Sequence, residues 1–293
     1  MTVNLCVVCQ GPLTIRFIRN GFEIADCADC GHRQTTLGLA PPADVAAHIA
    51  TVYGDSYFTD GGAGYVDYLA EGAMLRERGR KYGTILKHHR NGAKVLDIGA
   101  AAGFLLQGMA DVGWEPVGLE PNERMASHAR TELGLNVITG SLEGGVLDDE
   151  RPFDAVTLIQ VMGHFIDPVG ALEKVRELLA PGGLVLVETW DVESRTARAL
   201  KQRWHEYSPP SVLQWWSRRE LQAVAQRVGL VQVDSGRMTK WIAGHHAKSL
   251  LARGGGPLAK AARLVPDGLR LPYPSEDLFW SVYVRSPERN RSV

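Results

Sequence analysis

From Ala93 onward, short apolar runs alternate with longer stretches in which apolar residues recur every three or four positions. The runs predict strands and the 3.6-residue recurrence predicts amphipathic helices. On this pattern strands fall at Lys94 to Ile98, Glu115 to Glu120, Asn136 to Thr139, Asp154 to Gln160, Leu184 to Trp190, Leu230 to Asp234 and Leu278 to Val284. Helices are expected between them, around 103–112, 122–133, 168–180 and 217–228, the last opening on the capping box Ser217-x-x-Glu220. Alternation of this kind predicts an α/β fold with a parallel sheet of βαβ units.

Ahead of this region the pattern changes. A helical recurrence runs from about Tyr65 to His89 and stops at Asn91-Gly92, and a tyrosine-rich stretch with Tyr53, Tyr57, Phe58, Tyr65 and Tyr68 leads into it. Leu39-Ala40-Pro41-Pro42 punctuates the chain. Before that, Leu13 to Ile18 and Phe22 to Ala25 read as two short strands about Arg19-Asn20-Gly21, and Asn-Gly is the strongest two-residue hairpin signal. The organisation expected is a small module over 1–38, a helical linker or cap over 39–92, and a main domain over 93–293 with insertions near 191–216 and 236–276. No internal repeat or low-complexity segment interrupts it.

Composition narrows the class. The chain has 293 residues, 45% hydrophobic and 22% charged, with a net charge of −1, as an ordinary globular enzyme has. The balance gives no sign of a nucleic-acid partner. The N-terminus has no basic segment followed by an apolar one, and no run of 18 apolar residues occurs. A cytoplasmic protein without a membrane partner is therefore expected, in a compartment that keeps thiols reduced.

All four cysteines lie in the first 30 residues, as Cys6-x2-Cys9 and Cys27-x2-Cys30. Two such pairs at this separation point to a structural Zn2+ held by four thiolates, since a hairpin so small needs a metal to hold it. A redox dithiol or two disulfides are the rival readings. His32 is expected on the surface rather than as a further ligand.

The chemistry of the main domain begins at Val95-Leu96-Asp97-Ile98-Gly99-Ala100-Ala101-Ala102-Gly103, a strand running into a turn of small residues and then a helix. Such a turn lets backbone approach a ligand closely. Glu120 ends the second strand, where a carboxylate can grip both hydroxyls of a ribose. A nicotinamide fingerprint would read G-x-G-x-x-G, whereas this turn has Ala101 in the middle position, which argues against a dehydrogenase.

With GLEPN at 118–122, FDAV at 153–156, QVMGHFIDP at 160–168 and LLAPGGLVLVET at 178–189, the chain resembles the class I S-adenosylmethionine-dependent methyltransferases from about Tyr53 to Val284. More narrowly, a cysteine ribbon ahead of a tyrosine-rich segment is similar to bacterial methyltransferases of carbohydrate and natural-product metabolism. The resemblance implies a Rossmann-like sheet of seven strands with the last, Leu278 to Val284, antiparallel. It implies S-adenosylmethionine as cofactor, with Asp97, Gly99 and Gly103 flanking the methionine part, Glu120 at the ribose, Leu142 and Glu143 at the adenine, and Ala101, Pro121 and Gln160 as further cofactor-binding candidates. The family often has an acidic residue where this chain has Ser141.

Methyl transfer needs alignment and, for a hydroxyl acceptor, a base. His164, directly after the fourth strand, is the first candidate, with the alternative that it only orders its loop. His205 and Tyr207 are further catalytic candidates, because a Trp followed by a Tyr-x-x-Pro-x-His stretch often faces the acceptor in relatives. Here the later histidine is absent. Trp215 and Trp216 are expected in the core.

Between Arg195 and Arg270 basic residues outnumber acidic ones 14 to 4, which points to an anionic small-molecule acceptor, or else to solvated helix faces with Lys240, His245, His246 and Lys248 among them. The expected function is methylation of a small acceptor such as a sugar nucleotide, a natural-product intermediate or a hydroxy acid, on oxygen first and on carbon or nitrogen next. An RNA methyltransferase that grips its substrate with the ribbon is the alternative, a non-catalytic cofactor-binding module a third reading, and a homo-oligomer is left open.

Overall fold

The computed structural model describes residues 5–36, 43–59, 67–147, 152–244, 247–248, 264–273 and 275–286. The cysteine segment forms β1 (Leu13–Arg19), β2 (Phe22–Cys27) and β3 (Arg33–Thr35). β1 and β2 pair antiparallel and close on Arg19↔Phe22. Asn20 and Gly21 both take positive φ, 51° and 82°, as a two-residue hairpin turn demands.

Three helices follow: α1 (Ala43–Val52), the single turn α2 (Ser56–Thr59) and α3 (Gly72–His89). The main domain then runs β4 (Lys94–Ile98), α4 (Phe104–Ala110), β5 (Glu115–Glu120), α5 (Glu123–Thr131), β6 (Asn136–Thr139), β7 (Phe153–Ile159), α6 (Pro168–Leu178) and β8 (Leu179–Trp190). It continues through α7 (Arg195–Leu200), β9 (Gln214–Trp215), α8 (Arg218–Arg227), β10 (Leu230–Gly236), β11 (Lys240–Ala243), β12 (Arg270–Tyr273) and β13 (Leu278–Arg285).

α5, α6 and α8 start where the sequence supplies a side-chain cap, whereas α3 and α4 start without one. The Asn122 side chain accepts from Met125 N ahead of α5, Asp167 accepts from Gly170 N ahead of α6, and Ser217 and Glu220 make the capping box of α8. Each such cap contributes roughly 1 kcal/mol.

Seven strands form one sheet in the order β10-β13-β8-β7-β4-β5-β6, parallel from β6 to β8, with β13 antiparallel to both its neighbours. The strand order reverses at β4, and in such sheets the crevice at the carboxyl ends beside the reversal takes the ligand. One face buries Val156, Leu158, Val185, Val187 and Phe279 in a cluster with Leu172 and Val175 of α6 and Leu221 of α8. The other buries Val95, Ala155, Leu184 and Val282 with Tyr82, Leu86 and Met109. α3 and α4 meet backbone to backbone: a Cβ at Gly79 would lie 2.0 Å from the Leu105 carbonyl oxygen, and one at Gly108 2.0 Å from that of Arg76.

Several details differ from the sequence expectation. β8 begins at Leu179 rather than Leu184, because Phe153 pairs with Leu179 before a register shift brings Ala155 to Leu184. The helix expected from Tyr65 starts as a 3-10 turn at Leu69–Glu71; Tyr65 itself lies outside the described residues. β3 is bordered by β9, so the ribbon sheet has four strands in the order β1-β2-β3-β9, and β11 pairs with β12 apart from both sheets. Among the described residues no helix is long and apolar enough to cross a membrane.

Candidate active site

β4 delivers Asp97 and Ile98 to the crevice and then turns sharply. Gly99, Ala101 and Gly103 all take positive φ (78°, 47° and 84°), and the N–H groups of Gly99 and Ala100 both donate to the Leu119 carbonyl. A Cβ at Gly99 would stand 2.5 Å from Val161 Cγ1, so glycine is required there twice over, by conformation and by space.

Glu120 ends β5 only 3% exposed, and its two oxygens accept from Ala101 N and Asn122 N at 2.8 Å each. Burial nevertheless pushes its carboxyl up to about 7, against those two N–H groups. Asp97 is 1% exposed; Oδ1 accepts from the Thr157 hydroxyl at 2.6 Å. Its Oδ2 is buried without a partner among the described residues, and burial likewise lifts this carboxyl to about 7. An orphaned buried oxygen costs about 1–3 kcal/mol, which a cationic donor would remove. The α-ammonium of S-adenosylmethionine is such a donor, and the lone pairs that Glu120 keeps beyond its two N–H contacts suit ribose hydroxyls. The residues present thus fit the cofactor that the resemblance implies.

The remaining cofactor candidates sit around this turn. Pro121 follows Glu120 and is half-buried, and Leu142 is buried on a 3-10 turn whose cap is the Ser141 hydroxyl, accepting from Gly144 N. Glu143 is engaged elsewhere: its Oε1 accepts from Asp167 N at 2.8 Å, and burial raises its carboxyl. Gln160 takes positive φ (59°) and is held by Glu188, its N–H on the Glu188 carbonyl and its Nε2 on Oε1 at 3.1 Å. Glu188 is fully buried against the Arg78 guanidinium and the Tyr82 hydroxyl, both from α3.

His164 points Nδ1 at the Ser211 carbonyl (2.5 Å), and the Tyr53 hydroxyl donates to the same oxygen at 2.6 Å. A carbonyl only accepts, so Nδ1 carries the hydrogen and the lone pair is on Nε2. Burial lowers the imidazole pKa, outweighing the carbonyls of Ser211 and Gln160, which favour the charged ring.

The other two catalytic candidates go elsewhere. Tyr207 is 2% exposed and packs edge-on to Phe17 of the ribbon, with its hydroxyl accepting from Arg33 Nη1. His205 lies 2.9 Å from Glu206 Oε1 and edge-on to Trp190, in front of Trp204, whose Nε1 donates to Asp277. Trp215 and Trp216 are buried as expected. The side chain of Lys240 and all of His245 and His246 lie outside the described residues, while Lys248 pairs with Asp267.

His32 corrects the sequence expectation. It is fully buried, because its two ring nitrogens find Glu220 Oε1 and Gln214 Oε1. Tyr53, Ser211, Glu188 and Asp277 were also missed; Tyr53 alone had a signal, in its tyrosine-rich surroundings.

The four cysteine Sγ atoms lie within 4.8 Å of one another, with Cys9–Cys27, Cys9–Cys30 and Cys6–Cys30 at 3.4, 3.3 and 3.6 Å. A tetrahedral ion with bonds of about 2.3 Å to sulfur needs edges of about 3.8 Å. The donor set therefore suits Zn2+.

The profile of the methyltransferase-domain family matches residues 71–235. The ubiquinone biosynthesis O-methyltransferase of Alkalilimnicola ehrlichii is 30% identical over 148 residues, 43% of this chain and 59% of that protein. That of Stutzerimonas stutzeri is 29% identical over 158 residues, 47% of this chain and 68% of its own. That of Caulobacter sp. is 34% identical over 114 residues, 44% of its own length, so the chain matches only part of the length of such relatives.

Among solved structures, the 1,6-didemethyltoxoflavin-N1-methyltransferase of Burkholderia thailandensis, 17% identical, superposes with a TM-score of 0.55 over 93% of this chain and 99% of that one. The magnesium protoporphyrin IX methyltransferase of Synechocystis does so at 14% identity with a TM-score of 0.52, over 80% and 99%. This chain shares their fold, here seven strands in one mixed sheet. On that arrangement and the profile match across more than half its length, the chain belongs to the methyltransferase-domain family.

Proposed function

We propose that the protein is an S-adenosylmethionine-dependent methyltransferase that methylates a hydroxyl of a small molecule, with His164 as the base. The observation that carries the cofactor is the pairing of Asp97 and its orphaned oxygen with Glu120 across the 99–103 turn. The relatives named as O-methyltransferases support oxygen as the methylated atom.

When bound, S-adenosylmethionine supplies a methyl group on a sulfonium, activated for in-line displacement. Asp97 Oδ2 would accept from the ammonium, Glu120 would hold the ribose, and Leu142 would border the adenine. His164 takes the proton of the acceptor hydroxyl on Nε2 while Nδ1–H stays on the Ser211 carbonyl. The lowered pKa keeps the ring neutral at pH 7, as a base must be.

Screening hydroxylated small molecules with a labelled methyl donor identifies the acceptor. His164→Gln is then expected to lower kcat about 10²–10⁴-fold with cofactor affinity unchanged. An unaltered kcat rejects the base, and a wild-type protein that does not bind the cofactor rejects the function.

The acceptor we favour is anionic, a sugar nucleotide or a hydroxy acid, on account of the basic excess from Arg195 to Arg270. Part of that charge is spent in pairs, Arg218 with Asp191 and Arg237 with Glu276, but Arg195, Arg198, Lys201 and Arg203 are exposed. For the ribbon we propose one structural Zn2+ on Cys6, Cys9, Cys27 and Cys30.

A further inference from the structure

The cysteine module meets the main domain at Tyr207, Pro209 and Arg227 and also along a short strand seam. β3 pairs with β9 through Arg33↔Trp215 and Gln34↔Gln214, and Thr35 N donates to the Leu213 carbonyl at 2.9 Å. At the head of β3, two residues after Cys30, stands His32. Its Nδ1 lies 2.5 Å from Glu220 Oε1, its Nε2 lies 2.7 Å from Gln214 Oε1, and its ring packs against Trp216 with centroids 4.7 Å apart. Glu220 is also the reciprocal partner in the capping box of α8. One buried imidazole therefore ties the second cysteine pair to a helix start and to segment 214–216.

The opposite side of that segment holds the loop that carries His164. Leu213 N and Gln214 N both donate to the Gly163 carbonyl, at 2.7 and 3.0 Å, and Trp216 Nε1 donates to the Met162 carbonyl at 3.2 Å. The Ser211 carbonyl accepts from His164 itself. Segment 211–216 is a single layer of chain between ribbon and loop, so an anchor lost on one side loosens the other.

We propose that His32 is a positioning residue for methyl transfer: through Gln214 and Trp216 it fixes the 162–164 loop and so couples the cysteine cluster to the orientation of His164. The proposal rests on the reading of His164 as the base. Loss of metal, by opening the Cys27–Cys30 turn from which His32 projects, acts along the same route and slows turnover without touching the residues that hold the cofactor.

The test uses the full-length, metal-loaded protein with His32→Ala and, in case that variant does not fold, Gln214→Leu, which leaves the module's own residues intact. Hydrogen exchange over residues 161–166, metal content, cofactor affinity by calorimetry and steady-state constants are read together. The expected result is one zinc per chain, cofactor Kd within about twofold of wild type, exchange over 161–166 at least about tenfold faster, and kcat down about tenfold with acceptor KM little changed; losing one buried hydrogen bond is commonly worth a factor of that size. His32→Gln, which keeps a polar group near Gln214, recovers part of both effects. Exchange over 161–166 at the wild-type rate in both variants overturns the coupling, as does faster exchange with unchanged kcat. The exchange readout needs no turnover, so it separates this proposal from the functional reading, which fails instead if wild-type protein does not bind S-adenosylmethionine.

Discussion

Asp97→Asn sets the two consequences of one buried carboxylate against each other. In the free protein Oδ2 is buried without a partner among the described residues, and the carboxyl titrates at about 7 instead of 3.8. The folded chain therefore keeps a proton that the unfolded chain has already released, and stability falls as pH rises from about 4 to about 7, by at most about 1.4 kcal/mol per pH unit for one group. Asparagine preserves an acceptor for the Thr157 hydroxyl, which lies 2.6 Å from Oδ1, and has no charge to bury. The variant should melt no lower than wild type at pH 8 and show a flatter stability profile between pH 4 and 7. Cofactor binding moves the other way. A hydrogen bond from an ammonium to a carboxylate is worth about 1.5–3 kcal/mol, so affinity for S-adenosylmethionine should drop by about 10- to 150-fold. Because a bound cation favours the ionised carboxylate, wild-type affinity should increase from pH 6 to pH 8, with protons released on binding below pH 7, and the variant should lose much of that dependence. Calorimetry in buffers of different ionisation enthalpy counts those protons, and thermal melts supply the stability. A variant that binds the cofactor as tightly as wild type but melts lower would refute the reasoning and make Asp97 a structural residue.

Gly99→Ala combines positive φ with a Cβ 2.5 Å from Val161 Cγ1, so it should destabilise the fold by roughly 1–3 kcal/mol and weaken cofactor binding, checked by melting and calorimetry. Native mass spectrometry should find one zinc per chain, and a strong chelator should lower the melting temperature and speed exchange across residues 5–36. Arg203→Glu should raise KM for an anionic acceptor severalfold with kcat held, and an unchanged KM would reject the anionic acceptor. In wild type the neutral form of His164 predominates above its lowered pKa, so kcat/KM should fall only on the acid side of the ordinary imidazole range and stay level around neutrality as far as this residue is concerned.

The main sheet was legible because its strands carry their own pattern: Lys94–Ile98, Glu115–Glu120 and Asn136–Thr139 were read from apolar runs and appear with those bounds. The turn at 99–103 was legible too, since small residues between a strand and a helix leave a local signature. What escaped depends on partners far along the chain. β3 and β9 are three and two residues long, too short for any period, and exist because Arg33 and Gln34 meet Trp215 and Gln214 from 180 positions away. The burial of His32 depends on the same meeting. Tyr207 was placed by the company it keeps in relatives, but here the ribbon supplies Phe17 and Arg33 and claims the side chain. The 2.0 Å approaches at Gly79 and Gly108 were likewise invisible, because a glycine in a helical pattern does not announce what leans on it.

That last contact sets how far the chain can be cut down. At Gly79 and Gly108 the backbones of α3 and α4 meet with no thickness of side chain between the two rods, while Gly72 and Gly83 make room for the side chains of Phe104 and Val112. α4 leaves the cofactor turn at Gly103, and α3 brings Arg78 and Tyr82 to Glu188, whose carboxylate in turn holds Gln160. A fragment beginning at Ala93 would keep every motif of the sheet yet leave an acid stranded in its interior and α4 without the helix it packs on. The smallest working unit consequently starts before the first strand, at a helix no cofactor motif includes.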